Sequence, residues 1–538
     1  MSLTAHPAAP FAAYRSPQGP RILDPPAWSN AASVPQHGRS RAGLDAIIPP
    51  QLRPLVRAYL LGYASSVAPR LLTVFLTYFT AHRRRRRGLP PVQSEKASFA
   101  YLRDTVRHIL GAGLEWRRFP TFCATLVGGS TLLEVHHSSA FSSPVEFQLF
   151  PVPFCKLLAR YAPGLSIVAR ARLSRWLASF VAAYGGLHKA DGTKTTAIAG
   201  AATPATQFTN VTIPYAGRTL DLTLFAVTRA VDVIVGELWA RHKARRVAAG
   251  SWSSLEVLIG RLIDPAIFSM SSGLVMWAWF YAPSRLPHAY NKWITSAAAV
   301  DARLINALRL CRNNQLQYGK DLGPDARVLE GMSQDYGWPL SWGDPAVTVP
   351  FPCTMVHMDC GPSCEYHALM RMWRSWRWSM ATYLPLSLLL VLRKPNRNPR
   401  GVLKAILSAI RSSAFLGTFI TLFFYGVCLA RTRIGPLILG TSVAARQTID
   451  SGLCTAVGCG LCGWSILIER ASRRKDIGLF VVPRALATML PRRYPLDKQW
   501  RETLVFAAST AVVFTAIQEN PKRVRGVMGG VLKTVLMP

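Results

Sequence analysis

The sequence predicts an all-α, multi-pass integral membrane protein made of two tandem repeats of about four or five helices each, packed through strips of small residues. Three observations predict this fold class. Of the 538 residues, 50% are hydrophobic and only 17% are charged. Apolar segments alternate with basic or Pro- and Gly-rich breaks along most of the chain. Similar residues recur in the same order in the two halves.

The positive charge of the chain lies at the ends of the apolar segments. The sequence has 63 Lys and Arg residues against 27 Asp and Glu residues, a net charge of +36, which first suggests a nucleic-acid partner. The basic residues form short bursts, however, such as the arginine run at 83–87, Arg393-Lys394 and Lys522-Arg523. Polytopic membrane proteins hold their loops on one side of the bilayer with such bursts. We therefore expect a lipid bilayer as the partner and no nucleic acid.

Composition divides the chain into five parts. Residues 1–50 are rich in Pro, Ala and Arg, lack an apolar signal segment, and are predicted to be a disordered arm. Residues 51–290 form the predicted first transmembrane repeat, and residues 371–538 form the second. A polar linker at 291–350 and a Cys/His-rich segment at 351–370 lie between them.

A series of apolar segments supplies the candidate membrane helices. Several are shorter than the about 20 residues that a spanning helix needs, so some are expected to lie in the membrane interface. The segments are 60–80, 119–133, 177–187, 220–239, 267–282, 380–392, 414–430, 454–468, 477–490 and 504–517.

An internal repeat relates the two halves. Its clearest match is the pattern LFxVxRA, which occurs at 224–230 and again at 479–485. Several matches in chain order favour a duplicated unit over coincidence, and basic residues after the first helix of both copies favour parallel repeats. The matched pairs are 224–230 with 479–485, 178–186 with 452–460, 106–119 with 402–415, and 268–275 with 506–513.

Small residues at a spacing of four mark helix faces where another backbone can approach closely. Such a row occurs in each repeat: Ala178, Ala182 and Gly186 in the first, and Gly452, Ala456 and Gly460 in the second. Two interpretations stay open. The rows are ordinary tight helix contacts, or they line the contact between the repeats or between protomers of a homo-oligomer.

Charged residues fall inside or just beside the apolar segments at Arg229, Asp232, Asp450 and Arg484. Arg229 and Asp232 are three residues apart on one helix face and are expected to pair. Arg484 keeps the arginine of the repeat, but its copy lacks the acid and needs an acceptor such as a lipid phosphate, a carbonyl or Asp450. Either the two arginines snorkel to the interface, or the four charges line a polar path.

The Cys/His-rich segment offers metal ligands. Cys353, His357, Cys364 and His367, with Cys360 between them, supply thiols and imidazoles that suit a structural zinc ion. Their spacing is not that of a common zinc finger. A disulfide and a catalytic Cys/His pair are the alternatives. We expect no other cofactor.

Motifs in the second half carry a family resemblance. They are PCxxxH at 352–357, SCxYH at 363–367, YLP at 383–385, SAFLGT at 413–418 and the glycine-rich stretch at 452–469. With them, residues 351–490 resemble the cysteine-rich region and following helices of the transmembrane protein 135 family. That family is similar in turn to the import-channel family of the mitochondrial inner membrane, whose Arg, Asp and Gly positions are matched by Arg446, Asp450 and Gly458.

The resemblance implies a non-enzymatic, multi-pass protein of peroxisomal or mitochondrial membranes. It would act in lipid handling or organelle maintenance, with a lipid-like ligand or partners in the organelle membrane. No P-loop, GxGxxG, HExxH or GxSxG motif stands in a suitable sequence context. The alternatives are a transporter or channel with a polar intramembrane path, and a membrane-bound enzyme that uses the Cys/His cluster.

Overall fold

Helices make up most of the protein, for which we have a computed structural model. The structure describes residues 48–49, 51–86, 99–116, 118–134, 158, 160–162, 164–191, 196–198, 212–217, 219–392 and 399–537. The predicted arm at 1–50, apart from residues 48 and 49, lies outside the described residues, and so does the whole of the basic break at 393–398.

The first half contains helices that follow the predicted apolar segments. Basic or Gly/Pro-containing stretches separate them. At the start of α6, Ser253 accepts a hydrogen bond from the backbone N–H of Glu256, whose carboxylate accepts one from the Ser253 N–H. The helices are α1 (Arg53–Arg86), α2 (Phe99–Leu114), α3 (Phe119–Glu134), α4 (Ile167–Asp191), α5 (Leu220–Ala248) and α6 (Ser254–Tyr281).

The predicted polar linker at 291–350 is folded. Its short helices enclose an apolar core of their own, in which Leu316 and Met332 are fully buried, and Phe351 and Met355 from the Cys/His-rich segment complete it. The sequence predicts a polar linker here because its apolar residues are too irregularly spaced to show a helical period. The helices are α7 (His288–Ala298), α8 (Ala302–Arg312), α9 (Glu330–Tyr336) and α10 (Cys353–Val356).

The second half again consists of helices, some of which are interrupted. Two wide π-helical turns, Ala430–Ile434 and Ile449–Leu453, follow α12 and α14, and a 3₁₀ turn, Gly463–Ile468, follows α15. The helices are α11 (Cys364–Leu392), α12 (Pro399–Leu429), α13 (Gly435–Leu439), α14 (Val443–Thr448), α15 (Cys454–Cys462), α16 (Ala471–Met489), α17 (Gln499–Glu519) and α18 (Gly526–Leu536).

A small antiparallel sheet joins the two halves. Strand β1 (Thr196–Ile198) pairs with β2 (Thr212–Ala216), and β2 pairs with β3 (Tyr494–Pro495). Tyr215 lies opposite Pro495 in this register. The sheet is an addition to the predicted all-α fold, and it ties the start of α5 to the loop before α17.

Five helical stretches of the described chain are long and apolar enough to cross a membrane. The prediction of a helical chain with helices of membrane length is therefore confirmed. The segments at 119–133, 177–187, 220–239, 380–392 and 477–490 also fold into helices, but these do not combine the length, hydropathy and low charge of a membrane span. The five stretches are Arg53–Phe79, Ser254–Tyr281, Pro399–Leu439, Val443–Ile468 and Leu496–Glu519.

The helix contacts in the second half resemble those in the first half. In the first half α3 contacts both α1 and α4, and in the second half α12 contacts both α11 and α15. The last long helix of each half packs on the other half: α17 contacts α4 and α5, whereas α6 contacts α15 and α16. Helices α5 and α16 contact each other. The main apolar core accordingly combines Phe268 of α6 with Phe415 and Phe423 of α12.

The first predicted row of small residues is buried. Ala178, Ala182 and Gly186 all face the interior of the protein. A Cβ built on Gly129 would lie only 2.9 Å from the Cβ of Ala182. The row therefore serves the close approach of α3 and α4, which belong to the same half.

The second predicted row does not make the corresponding contact. Gly452 is buried, but Ala456 and Gly460 face outward, and no described atom lies within 4 Å of the place where a Gly460 Cβ would be. Gly452 also lies in a wide turn with a φ of 141°, which breaks the helical register between it and Ala456.

A neighbouring row on α15 makes the contact instead. Cys454, Gly458 and Cys462 are buried at the same spacing of four. A Cβ built on Gly458 would lie 2.7 Å from the backbone oxygen of Phe423 in α12. Both faces of α15 carry small residues, so the sequence alone could not show which one faces α12.

Candidate metal centre and buried ion pair

The Cys/His-rich segment folds back on itself and brings three of its ligand atoms together. Cys353 begins α10, His357 follows its last residue, and Cys364 begins α11. The two Sγ atoms and a ring nitrogen of His357 all lie within 4.8 Å of one another. Three donors at this separation are close enough to share one ion.

A backbone contact orients the His357 ring, which is buried. Its Nδ1 lies 2.8 Å from the carbonyl oxygen of Gly361. Because a carbonyl only accepts hydrogen bonds, Nδ1 carries the proton and donates it. Burial lowers the pKa of His357, so the neutral ring is favoured. Nε2 is then left with a lone pair, and it lies 3.3 Å from the Sγ of Cys428.

Cys428 is the residue that sequence reasoning missed at this site. It lies near the end of α12 and is buried, and its Sγ is 3.3 Å from the Nε2 of His357. In the sequence it stands far from the Cys/His-rich segment, inside an apolar run where cysteine is normally a small buried hydrophobe. Only the fold places it beside His357.

His367, which the sequence analysis included among the ligands, lies beside the group. Its ring stacks on that of His357, with the centroids 4.3 Å apart and an angle of 11° between the planes. Its Nδ1 has no hydrogen-bond partner among the described residues. Burial, with the nearby His357 and Arg371, lowers the pKa of His367 to about 3. His367 is therefore an uncharged side chain that borders the site.

None of the three cysteines of the segment is in a disulfide in the structure. Cys353, Cys360 and Cys364 are all free thiols in the structure. Burial raises the pKa of the Cys353 thiol, and this keeps it protonated in the absence of a cation. The disulfide expected as an alternative is not formed among them.

A buried ion pair lies next to the thiols. Arg431, in the wide turn after α12, donates from Nε and Nη2 to the two carboxylate oxygens of Asp450 at 2.7 and 2.8 Å. The side chains are 6% and 2% exposed. The Tyr318 hydroxyl donates to Asp450 at 2.6 Å, and Arg431 also contacts the carbonyl oxygen of Phe351. The acid predicted as an acceptor for Arg484 is thus held by Arg431.

The ion pair joins the two wide turns of the second half. Arg431 lies in the first turn and Asp450 in the second, and the two turns are in contact. Wide turns of this kind occur frequently at functional sites. A cavity of about 40 Å³ lies beside the pair and is lined by Tyr318, Cys311 and apolar side chains. It has room for only one or a few water molecules.

Arg229 and Asp232 do not pair with each other. Asp232 is bound by Arg525 of the loop before α18, whose Nε lies 3.1 Å from a carboxylate oxygen. Arg229 donates to the Arg525 carbonyl oxygen at 3.2 Å, and its guanidinium lies 5.1 Å from the centre of the Phe225 ring. The expected pair is replaced because Arg525 approaches from outside the helix, an approach that spacing within α5 cannot show.

Arg484 lies apart from both the Arg431–Asp450 pair and the Arg525–Asp232 pair. It donates to the backbone oxygen of Phe480 in its own helix, and its guanidinium lies 5.5 Å from the centre of the Tyr290 ring. Among the described residues, none of the contacts of Arg484 includes Arg229, Asp232 or Asp450. The structure therefore does not bring the four predicted charges together into one path.

No protein-family model, curated protein or solved structure matches the chain. The resemblance to the transmembrane protein 135 family rests on the motifs given above, and what it implies is taken up as a proposal.

Proposed function

We propose that the chain is a non-enzymatic, multi-pass membrane protein of peroxisomes or mitochondria that acts in lipid handling or organelle maintenance. The observation that supports the membrane assignment is the apolar surface of the candidate spans. Leu72 and Phe79 of α1 are exposed, and Leu437 of α13 is 86% exposed. Side chains of this kind suit contact with lipid, where the backbone polar groups are already satisfied within helices. The organelle and the lipid role are supported by the family resemblance.

The proposal includes a duplicated architecture. The matched segments of the sequence correspond to α3 with α12, α4 with α15, α5 with α16, and α6 with α17. Under this correspondence, the contact of α3 with α4 matches that of α12 with α15, and the contacts of α17 with α4 and α5 match those of α6 with α15 and α16. The contact of α5 with α16 joins equivalent helices. A duplication whose units exchange their last helices accounts for this pattern.

The localisation experiment uses the full chain with a fluorescent tag. We expect it to coincide with a peroxisomal or a mitochondrial marker and to remain in the membrane pellet after alkaline carbonate extraction. Cells that lack the protein should show altered lipid composition of that organelle, and re-expression should restore it. Release into the supernatant would refute the membrane assignment, and an unchanged lipid composition would refute the lipid role.

A transporter is the second candidate, because the Arg431–Asp450 pair bridges two interrupted helices. Secondary transporters build their binding sites from such broken helices near the bilayer centre. The test measures flux of small anions and of fluorescent lipids in liposomes that contain the full chain. Flux that the double variant Arg431→Gln/Asp450→Asn loses, and that Arg229→Gln retains, would support a transporter. Equal flux in wild type and double variant would exclude a path through the ion pair.

A further inference from the structure

We propose that the chain binds one structural Zn²⁺ ion through three thiolates and one imidazole, supplied by Cys353, His357, Cys364 and Cys428. The site is independent of the proposed lipid role. It differs from the set suggested by the sequence in its fourth ligand, which is Cys428 of α12 instead of His367.

The distances between the ligand atoms suit a single small ion. Zn–S and Zn–N bonds of about 2.3 and 2.1 Å place the corners of a coordination tetrahedron about 3.5–3.8 Å apart. Cys353, His357 and Cys364 have their ligand atoms within 4.8 Å of one another, and Nε2 of His357 is 3.3 Å from the Sγ of Cys428. The separations among the first three ligand atoms, and that between His357 and Cys428, are therefore close to those of such a tetrahedron.

His367 is a poorer fourth ligand than Cys428. The rings of His357 and His367 are stacked almost parallel, with centroids 4.3 Å apart. The lone pairs of an imidazole lie in the plane of its ring, so those of two parallel rings cannot converge on one ion. The Cys428 thiol, in contrast, already lies 3.3 Å from the in-plane nitrogen Nε2 of the His357 ring.

The surroundings provide the second shell that zinc sites usually have. The Nδ1–H of His357 donates to the Gly361 carbonyl oxygen, which fixes the ring and directs Nε2 toward the thiols. Zn²⁺ with three thiolates carries one net negative charge, which needs a nearby cation when it is buried. Arg431 lies one helical turn after Cys428 and interacts electrostatically with both Cys353 and Cys428.

The ion would take its ligands from three elements of the chain. Cys353 and His357 belong to α10 and its end, Cys364 begins α11, and Cys428 lies near the end of α12. The bound ion would hold the Cys/His-rich segment, and with it the core of the middle helices, against the second half. Since the ligands come together only in the folded chain, zinc binding would contribute directly to folding.

The test measures metal in the full chain, purified in detergent without chelators, by inductively coupled plasma mass spectrometry. We expect about one zinc per chain, and a loss of about fivefold or more in the Cys428→Ser variant. His367→Gln and Cys459→Ser, which remove a neighbouring imidazole and another buried thiol, should both keep the zinc. Retention of zinc in Cys428→Ser, or its loss in His367→Gln, would overturn the assignment of the fourth ligand.

A second measurement does not depend on the folding of variants. Wild-type chain exchanged with Co²⁺ should show the visible absorption bands of tetrahedral cobalt with thiolate ligands. Absence of zinc and of cobalt binding would overturn the site, and so would iron in place of zinc. A disulfide between Cys353 and Cys364, seen by mass spectrometry without reductant, would overturn it in favour of a redox pair.

Discussion

Arg431 and Asp450 show how strongly a buried charge depends on its partner. Each ion loses several kcal/mol of hydration when it is buried, and only a closely matched partner offsets this cost. Here the guanidinium fork meets both carboxylate oxygens, while Tyr318 and the Phe351 carbonyl bind the remaining polar atoms. The pair therefore fixes the contact between the two wide turns.

Removal of one partner should destabilise the protein strongly. We expect Asp450→Asn to lower the free energy of unfolding by about 3–5 kcal/mol, because the Arg431 charge remains buried without a counter-ion. Asp104→Asn, at the exposed pair with Arg103, should change it by less than about 1 kcal/mol. Thermal unfolding of the detergent-solubilised variants measures both. Equal effects would show that the Arg431–Asp450 pair is not buried as described.

The two members of this pair were not equally visible in the sequence. Asp450 could be predicted as an intramembrane charge because acids are rare in the second half. Arg431 could not, because an arginine that follows an apolar run looks like a basic loop residue. Cys428 could not be predicted as a ligand for a related reason, since the apolar segment that contains it predicts only that the thiol is buried. Contacts of this kind, between residues distant in the sequence, can be identified only from the folded structure.

Helix α15 illustrates what periodicity can and cannot decide. Its small residues predicted a close helix contact, and the structure contains one. The helix has two faces of small residues, however, one with Ala456 and Gly460 and one with Gly458. Only the position of α12 decides which of them is buried. Periodicity thus identifies a helix that can approach a neighbour closely but does not identify the contacting face.

Two glycines on opposite faces of α15 give a matched test. Gly458→Ala should destabilise the protein by roughly 1–3 kcal/mol, because its Cβ would lie 2.7 Å from the Phe423 backbone oxygen. Gly460→Ala meets no described atom within 4 Å and should stabilise the helix by about 1 kcal/mol. The melting temperatures should therefore move in opposite directions. A loss of stability only in Gly460→Ala would place α15 in the other orientation.

The two halves depend on each other, because the last long helix of each half, α6 or α17, packs on the other half. Ala507 of α17 is fully buried in one cluster with Ala183 and Leu187 of α4. Likewise, Phe268 of α6 lies in the core with residues of α12 and α15. The sequence repeat predicts two similar units but not this exchange. The apolar face of a helix shows that the helix is buried, but it does not show which other helix covers it. Each half therefore completes its core with a helix of the other half.

A substitution in α17 of the second half should consequently make helices of the first half more accessible to protease. Ala507→Leu overfills the contact with α4 and should cost roughly 1–3 kcal/mol, whereas Val505→Leu, at a position 42% exposed, should cost less than about 0.5 kcal/mol. Limited trypsin digestion of an N-terminally tagged chain reports where the structure opens. We expect faster cleavage in α4 and α5 for Ala507→Leu only. If cleavage increased only within α17 and α18, the first half would be complete without α17, and the exchanged arrangement would be refuted.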